Sequence, residues 1–379
     1  MTRLTYLVSN RLPTEKAHGY QIAKMCESFA GLGYDVELIH PERVNSVTTG
    51  FFESYGVEKN FKIRSIPGFD WGKLYKYIGK LYFQLNRLSF FLKSWTLKVP
   101  AGSIVYTRSP ELVWVFAKRG FKTFFECHQL PATASLFFGI FLQSSHGIVA
   151  ITLGLKDQLS SQYHLPAEKI LVAPDGVDLK TFDIQLTRQE ARQKLNLPLD
   201  KKIILYTGQL FAWKGVDVLA EAASSLPDDY LVYLVGGTKE DIATFKSKYQ
   251  SIKNLICLPS VPRDKVAIWL KAADLLVLPN SKKFKISESH TSPLKLFEYM
   301  ASQTPILASD LPSLHEILGP EEAAFFKADD PTDLAHQTQI ILQETTQAEA
   351  KAKKAYTLVK SYTWASRAKN ISDKLLDIA

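Results

Sequence analysis

Short runs rich in Val, Ile and Leu alternate along the chain with amphipathic stretches of helical length, the pattern of parallel strands joined by crossover helices. The runs predict strands at Leu4–Val8, Val36–Ile39, Ile104–Tyr106, Thr123–Glu126, Gly147–Ile151, Ile203–Thr207, Tyr230–Val235, Leu275–Leu278 and Pro305–Ala308. Each meets Gly, Pro, Asn, Asp, Ser or His soon after it ends. The fold class is therefore α/β, doubly wound, and the loops after the strands have first claim on function, because open parallel sheets bind ligands at the carboxyl ends of their strands. The stretch VAPDGVDLKTFDIQLTRQEARQKLNLPL from Val172 to Leu199 is polar and precedes a fresh strand. It reads as a domain junction, with one β/α domain over 1–172 and a second over 173–359, two Rossmann-like halves facing each other across a cleft.

The chain has 379 residues, 46% hydrophobic and 22% charged, enough for two or three domains with ample core. Disordered, collagen-like and disulfide-scaffold classes are excluded. A formal charge of +8 favours anionic partners such as nucleic acid, nucleotide or lipid headgroups. Cys26, Cys127 and Cys257 are far apart and odd in number, with no CxxC pair, so neither a disulfide framework nor a zinc site is indicated. A reducing cytosol fits best. The apolar run before Asn10 and Arg11 is too brief for a secretory signal, and no uncharged stretch nears the ~18 residues that cross a bilayer. Membrane contact is expected to be peripheral only.

Two segments carry candidate chemistry. In YTGQLFAWKG, Tyr206 to Gly215, a strand runs into Gly208, and Lys214 precedes a helical pattern; a glycine admits a close ligand and a lysine beside a helix start suits a phosphate. The bland alternative is a solvated loop lysine. In HTSPLKLFEYMASQTPILASDLP, His290 to Pro312, Ser292 is placed to cap a helix, Pro293 suits its first turn, and the amides around Leu294 and Lys295 form an anion-binding start. Glu298, one turn on, has the chemistry to accept hydrogen bonds from ribose hydroxyls. The competing reading is an ordinary amphipathic helix with Leu294, Phe297 and Met300 inward and Glu298 solvated.

Together these segments resemble glycosyltransferase family 4, retaining enzymes of the GT-B fold that transfer a sugar from a nucleotide donor. The resemblance also takes in PTEKAHGYQIAKMCESFAGLGYDVELI near the start, FECHQLP at Phe125, APDGVDLKTF at Ala173 and a closing SYTWASRAKNI. It implies that Lys214 grips the donor diphosphate, the amides at Leu294 and Lys295 hold phosphate or sugar, Glu298 binds ribose, Gly19 lies in a glycine loop facing the donor, and His128 sits near the transferred sugar. The nucleobase would pack by Leu258 to Pro262, around Val261. A last helix, about 360–379, would cross back to the first domain.

The sequence departs from the family pattern at two positions. Gln209 stands where an arginine commonly completes a two-cation clamp with Lys214, and His290 stands where the first of two glutamates contacts the donor sugar. The resemblance implies retention, with the leaving phosphate oxygen as base for the incoming hydroxyl, so a carboxylate pair of the glycosidase kind is not needed. No Asp-x-Asp triplet or His/Asp cluster stands out, and metal-independent activity without a cofactor is expected.

From Phe61 to Lys98 eight basic residues face the single acid Asp70. Leu74, Ile78, Leu81, Leu85, Leu88, Leu92 and Trp95 share one helical face flanked by Lys73, Lys76, Lys80 and Arg87, a basic amphipathic helix suited to an anionic bilayer surface. The alternative is a core-packing helix with a solvated cationic face. Nucleic-acid binding lacks any helix-turn-helix, zinc or RNA-recognition signature. The expected protein is a cytoplasmic glycosyltransferase, peripherally associated with the inner face of the cell membrane, moving sugar from a UDP- or GDP-sugar to a lipid-linked or polysaccharide acceptor. Its rivals are a GT-B nucleotide-sugar epimerase and a noncatalytic nucleotide-binding partner.

Overall fold

The computed structural model describes residues 1–45, 47–67, 79, 81–131 and 133–378. The chain divides into two compact units, the first made of Met1–Ile151, Leu155–Pro174 and Trp364–Ala379, the second of Thr152–Gly154 and Asp175–Thr363. The main break thus falls after Pro174 rather than after residue 172, and the chain returns to unit 1 at Trp364.

Unit 1 is built on strands β1 (Arg3–Leu7), β2 (Asp35–Pro41), β3 (Lys62–Ile66), β4 (Ile104–Thr107), β5 (Lys122–Cys127), β6 (Gly147–Ala150) and β7 (Ile170–Val172). They form one sheet in the order β3-β2-β1-β4-β5-β6-β7, with every neighbouring pair parallel. The order reverses between β1 and β4, which opens a crevice at their carboxyl ends. β4 and β6 are buried along their whole length, as strands covered on both faces must be. The last helix, Trp364–Ile378, packs on the helix Ala17–Gly31. Tyr34 and Ser372 share a hydroxyl hydrogen bond of 2.6 Å there, and the Tyr20 and Trp364 rings meet edge to face.

Unit 2 repeats the plan with β8 (Lys202–Thr207), β9 (Tyr230–Val235), β10 (Leu255–Leu258), β11 (Leu275–Leu278), β12 (Ile306–Ser309) and β13 (Ala324–Phe326). The order is β10-β9-β8-β11-β12-β13, again all parallel. Its reversal lies between β8 and β11. All nine strands predicted from the sequence are present, and β3, β7, β10 and β13 are additional.

The helix Leu81–Ser94 of unit 1 turns the expected face outward. Asn86, Phe90 and Ser94 are buried, while Leu81, Leu88 and Leu92 are 49%, 51% and 60% exposed. The helix Leu136–Gln143 likewise shows Leu136 and Phe137, 79% and 70% exposed. Between them Trp114 touches Phe91, Trp95 and Phe141. Of the four cations assigned to a bilayer, Lys73, Lys76 and Lys80 lie outside the described residues. Arg87 is committed to the protein itself, through two hydrogen bonds of 2.7 and 2.6 Å to the carboxylate of Glu111. No helix among the described residues is long and apolar enough to cross a membrane.

Candidate functional site

In unit 2 the chain leaves β8 through Gly208, whose φ of +130° suits only glycine, and enters a tight turn, Ala212–Lys214. Gly215 closes that turn at φ +68°. A β-carbon on Gly215 would lie 1.7 Å from the carbonyl oxygen of Pro279, so the turn presses against the segment after β11 as only glycine permits. Ser281 N donates to Trp213 O at 3.1 Å and completes the seam. Lys214 lies over its neighbour's indole, its Nζ 4.2 Å from the Trp213 ring centroid. The ammonium is only partly exposed, and burial draws its pKa down to about 8, with Glu298 opposing.

The helix Leu294–Ala301 is pinned to the end of β8 by Tyr299, whose hydroxyl accepts the Thr207 N–H at 2.8 Å. Lys295 stands one turn before Tyr299 and so shares its face. Its Nζ is 3.7 Å from the centroid of the Tyr206 ring and 3.5 Å from where a β-carbon of Gly208 would be. Lys295 is 6% exposed, and its Nζ has no hydrogen-bond partner. The amides of Leu294 and Lys295 belong to the first turn, where helical N–H groups have no intrahelical acceptor.

Two assignments at this helix change, and the competing reading of a solvated Glu298 fails. Pro293, not Ser292, occupies the N-cap, and it offers no side-chain cap. The Ser292 hydroxyl instead accepts the Asp175 N–H at 3.0 Å, holding the start of unit 2. Glu298 is not a solvated helix residue but is 8% exposed and ion-paired with Arg263, the first residue of the helix Arg263–Ala272. Arg263 was not singled out from the sequence, because nothing in local spacing links it to Glu298. Val261 is partly buried against the core, Gln209 is exposed and accepts Tyr206 OH at its carbonyl oxygen, 2.8 Å away, and His290 is buried, its pKa lowered by burial and Lys285 against the opposing pull of Glu288.

Unit 1 carries a second cluster. Glu126, fully buried at the end of β5, accepts Arg108 Nη2 and Arg367 Nη2, each at 2.9 Å, and His128 Nε2 at 2.6 Å. Burial resists its ionisation, but the two guanidinium groups outweigh that and hold the carboxyl well below the usual range. An ionised carboxylate only accepts, so Nε2 of His128 carries its proton toward Glu126. His18 nearby is pushed down to about 4 by burial, Arg108, Lys16 and His128, with Glu15 opposing. It is neutral at pH 7. A hollow of about 690 Å³ opens beside these groups, lined by Asn10, His18, Arg108 and His128 together with Phe137 and Phe141. Gly19 lies inside the first turn of the helix Ala17–Gly31 rather than in a loop. The space a β-carbon would take there is filled by Tyr55 Oη, 2.1 Å away.

Solved structures share this architecture along the whole chain. The sucrose-phosphate synthase from Thermosynechococcus elongatus superposes with a TM-score of 0.78 at 19% identity, covering 100% of this chain and 99% of that one. Anabaena Alr3699/HepE, solved in complex with UDP-glucose, gives a TM-score of 0.71 at 13% identity with both chains fully covered. The fold is GT-B. Within this GT-B chain, residues 187–358 match the family model for glycosyl transferases group 1. That stretch contains the Lys214 turn and the Leu294–Ala301 helix. A D-inositol 3-phosphate glycosyltransferase from Xylanimonas cellulosilytica is 27% identical over 186 residues, 46% of this chain. The chain spans 43% of that relative's length.

Proposed function

We propose that the chain is a retaining, metal-independent glycosyltransferase of the family 4 type, moving a sugar from a UDP- or GDP-sugar to a lipid-linked or polysaccharide acceptor at the cytoplasmic face of a membrane. The observation that carries this reading is the convergence, by the end of β8, of Lys214 with Lys295 in the first turn of the Leu294–Ala301 helix, the two ammonium groups close enough to repel and that of Lys295 lying over Tyr206. Positive charge and unpaired N–H groups are what a departing diphosphate needs. Residues 187–358, which hold this convergence, match a glycosyltransferase model, and a GT-B neighbour has been solved with UDP-glucose.

In this reading Lys214 and the amides of Leu294 and Lys295 stabilise the negative charge that builds on the leaving diphosphate, the work a divalent cation does elsewhere. Glu298 accepts from ribose hydroxyls, with Arg263 holding the carboxylate in place. Val261 lies against the base, while Gly208 and Gln209 give the donor close backbone approach. His290, Ser292 and Pro293 border the sugar. His128, its ring fixed by Glu126, is the group of unit 1 assigned to charge developing at the anomeric carbon. The departing phosphate oxygen takes the proton of the acceptor hydroxyl, which attacks from the same side and preserves configuration.

A lipid-linked acceptor is favoured by the unit 1 hollow, whose lining combines Arg108 and two histidines with Phe137 and Phe141, and by the exposed Leu88, Leu92 and Leu136 nearby in sequence to its lining residues. The test is a nucleotide-sugar panel scored for binding and slow hydrolysis. Release of sugar from one donor with retained anomeric configuration is expected. Interconversion of sugars without acceptor would indicate an epimerase, nucleotide binding without turnover a noncatalytic partner, and no binding of UDP, GDP or ADP at millimolar ligand would overturn the reading.

A further inference from the structure

We propose that the side-chain ammonium of Lys295 binds the donor diphosphate as a second cation beside Lys214, supplying the charge that Gln209 does not. The inference rests on the nucleotide-sugar reading above. That reading used only the backbone amide of Lys295; nothing in the sequence indicated where its side chain goes.

The geometry makes the ammonium hard to explain as structure. Lys295 is 6% exposed, and no acceptor lies within hydrogen-bonding reach of its Nζ. A surface lysine normally carries its charge out to water along a flexible stem. Here the stem instead turns inward along the face that Tyr299 anchors to β8. The ammonium ends over the Tyr206 ring, 3.7 Å from its centroid. Cation–π attraction offsets part of the lost hydration but satisfies none of the three donors. Directly beside it the chain has no side chain at all, since Gly208 leaves the space where a β-carbon would come to 3.5 Å from Nζ. An oxygen anion lying over Gly208 would meet the donors that the protein leaves unmatched.

The charges facing Lys295 fit the same purpose. Lys214, from the turn after β8, repels it; Glu298, on its own helix, attracts it but is shared with Arg263 of the neighbouring helix; Tyr206 and Tyr299 present a ring face and a hydroxyl already used by Thr207. Burial, then Lys214, hold its pKa well below the ordinary lysine value, against Glu298. A diphosphate arriving between two lysines opposes both effects with its own negative charge and raises that pKa. Binding therefore takes up protons, and affinity is greatest where the lysine is already charged and falls as pH rises through its bound-state pKa.

The experiment is calorimetry of the full chain with uridine, UMP, UDP and GDP in two buffers of different ionisation enthalpy. Lys295→Met, which keeps the length and removes the charge, is expected to weaken the diphosphate the wild type prefers by about tenfold or more, while leaving the nucleoside within about twofold. Lys295→Arg is expected to retain diphosphate affinity and take up fewer protons than the wild type, because guanidinium stays charged. Equal losses for nucleoside and diphosphate in Lys295→Met, or unchanged diphosphate affinity, would overturn the proposal while the wild type still bound nucleotide. Absence of nucleotide binding in the wild type would instead sink the reading on which it rests.

Discussion

Arg367 and Glu126 lie 241 positions apart in the chain, yet their side chains meet at 2.9 Å in the interior of unit 1, the arginine 2% and the glutamate 0% exposed. The pair joins the last helix to the end of β5 and, through the carboxylate, to His128. Removing one partner of a buried ion pair leaves a charge without compensation. Arg367→Met is expected to destabilise unit 1 by about 3 kcal/mol, at the low end for such losses because Arg108 remains on the carboxylate. Urea denaturation followed by tryptophan fluorescence measures it.

The same carboxylate sets an acid limb. Its folded pKa lies below the unfolded value, so its contribution to stability is present above about pH 4.3, the ordinary glutamate value, and is lost as pH falls through the folded value. Glu126→Gln should be less stable than the wild type at pH 7, and the gap should narrow below about pH 4. Denaturant midpoints across that range report it; a gap that is constant with pH would remove Glu126 as the titrating group.

Lys214 titrates on the other side of neutrality. With its pKa drawn to about 8, the free protein loses this charge as pH rises through 8, and a bound diphosphate moves the loss upward. The decline of nucleoside diphosphate affinity with pH should steepen as pH rises through 8, beyond any change in nucleoside affinity. Lys214→Ala should cost about ten- to a hundredfold in diphosphate binding, and Lys214→Arg should lessen the alkaline decline. Isothermal titrations between pH 6.5 and 9 decide it.

The two glycines after β8 separate strain from collision. Alanine at Gly208 meets Tyr206 Oη at 3.4 Å and Lys295 Nζ at 3.5 Å, ordinary contacts, so it carries only the cost of its backbone angle. Alanine at Gly215 adds a clash with the Pro279 carbonyl at 1.7 Å. Gly208→Ala should lose about 1–2 kcal/mol and Gly215→Ala more than that. Thermal melts of unit 2 would show the order.

The exposed apolar residues give a surface test. Leu88, Leu92 and Phe137 are 51%, 60% and 70% exposed, so replacing all three with serine should change stability by no more than about 0.5 kcal/mol at each site. Sedimentation with anionic vesicles should fall severalfold at the same time. Undiminished sedimentation at low salt would remove these residues from the membrane reading.

The strands missed in the sequence share one property. β3, β7, β10 and β13 are the outermost strands of the two sheets, and each is partly exposed along its length. An edge strand needs no continuous apolar run, so its pattern merges with the loops around it; the central strands, sealed on both faces, cannot hide. The site divides in a similar way. Lys214 and the Leu294–Ala301 helix were legible because each is a local motif at a strand end. The pairs Glu298–Arg263 and Glu126–Arg367 were not, since topology alone brings them together. The leucine seam of Leu81–Ser94 was visible as a periodicity, but periodicity does not say which side of a helix is covered, and the covered side is the one that carries Asn86, Phe90 and Ser94.

Because the helix Trp364–Ile378 belongs to unit 1, that unit is not contiguous in the order of synthesis. A ribosome delivers β1 through β7 first, then all of residues 175–363, and only afterwards the second of the two arginines that neutralise Glu126. Until Arg367 is made, the buried carboxylate of unit 1 has Arg108 without its second guanidinium. The interior of unit 1 is therefore completed by residues translated after the whole of 175–363.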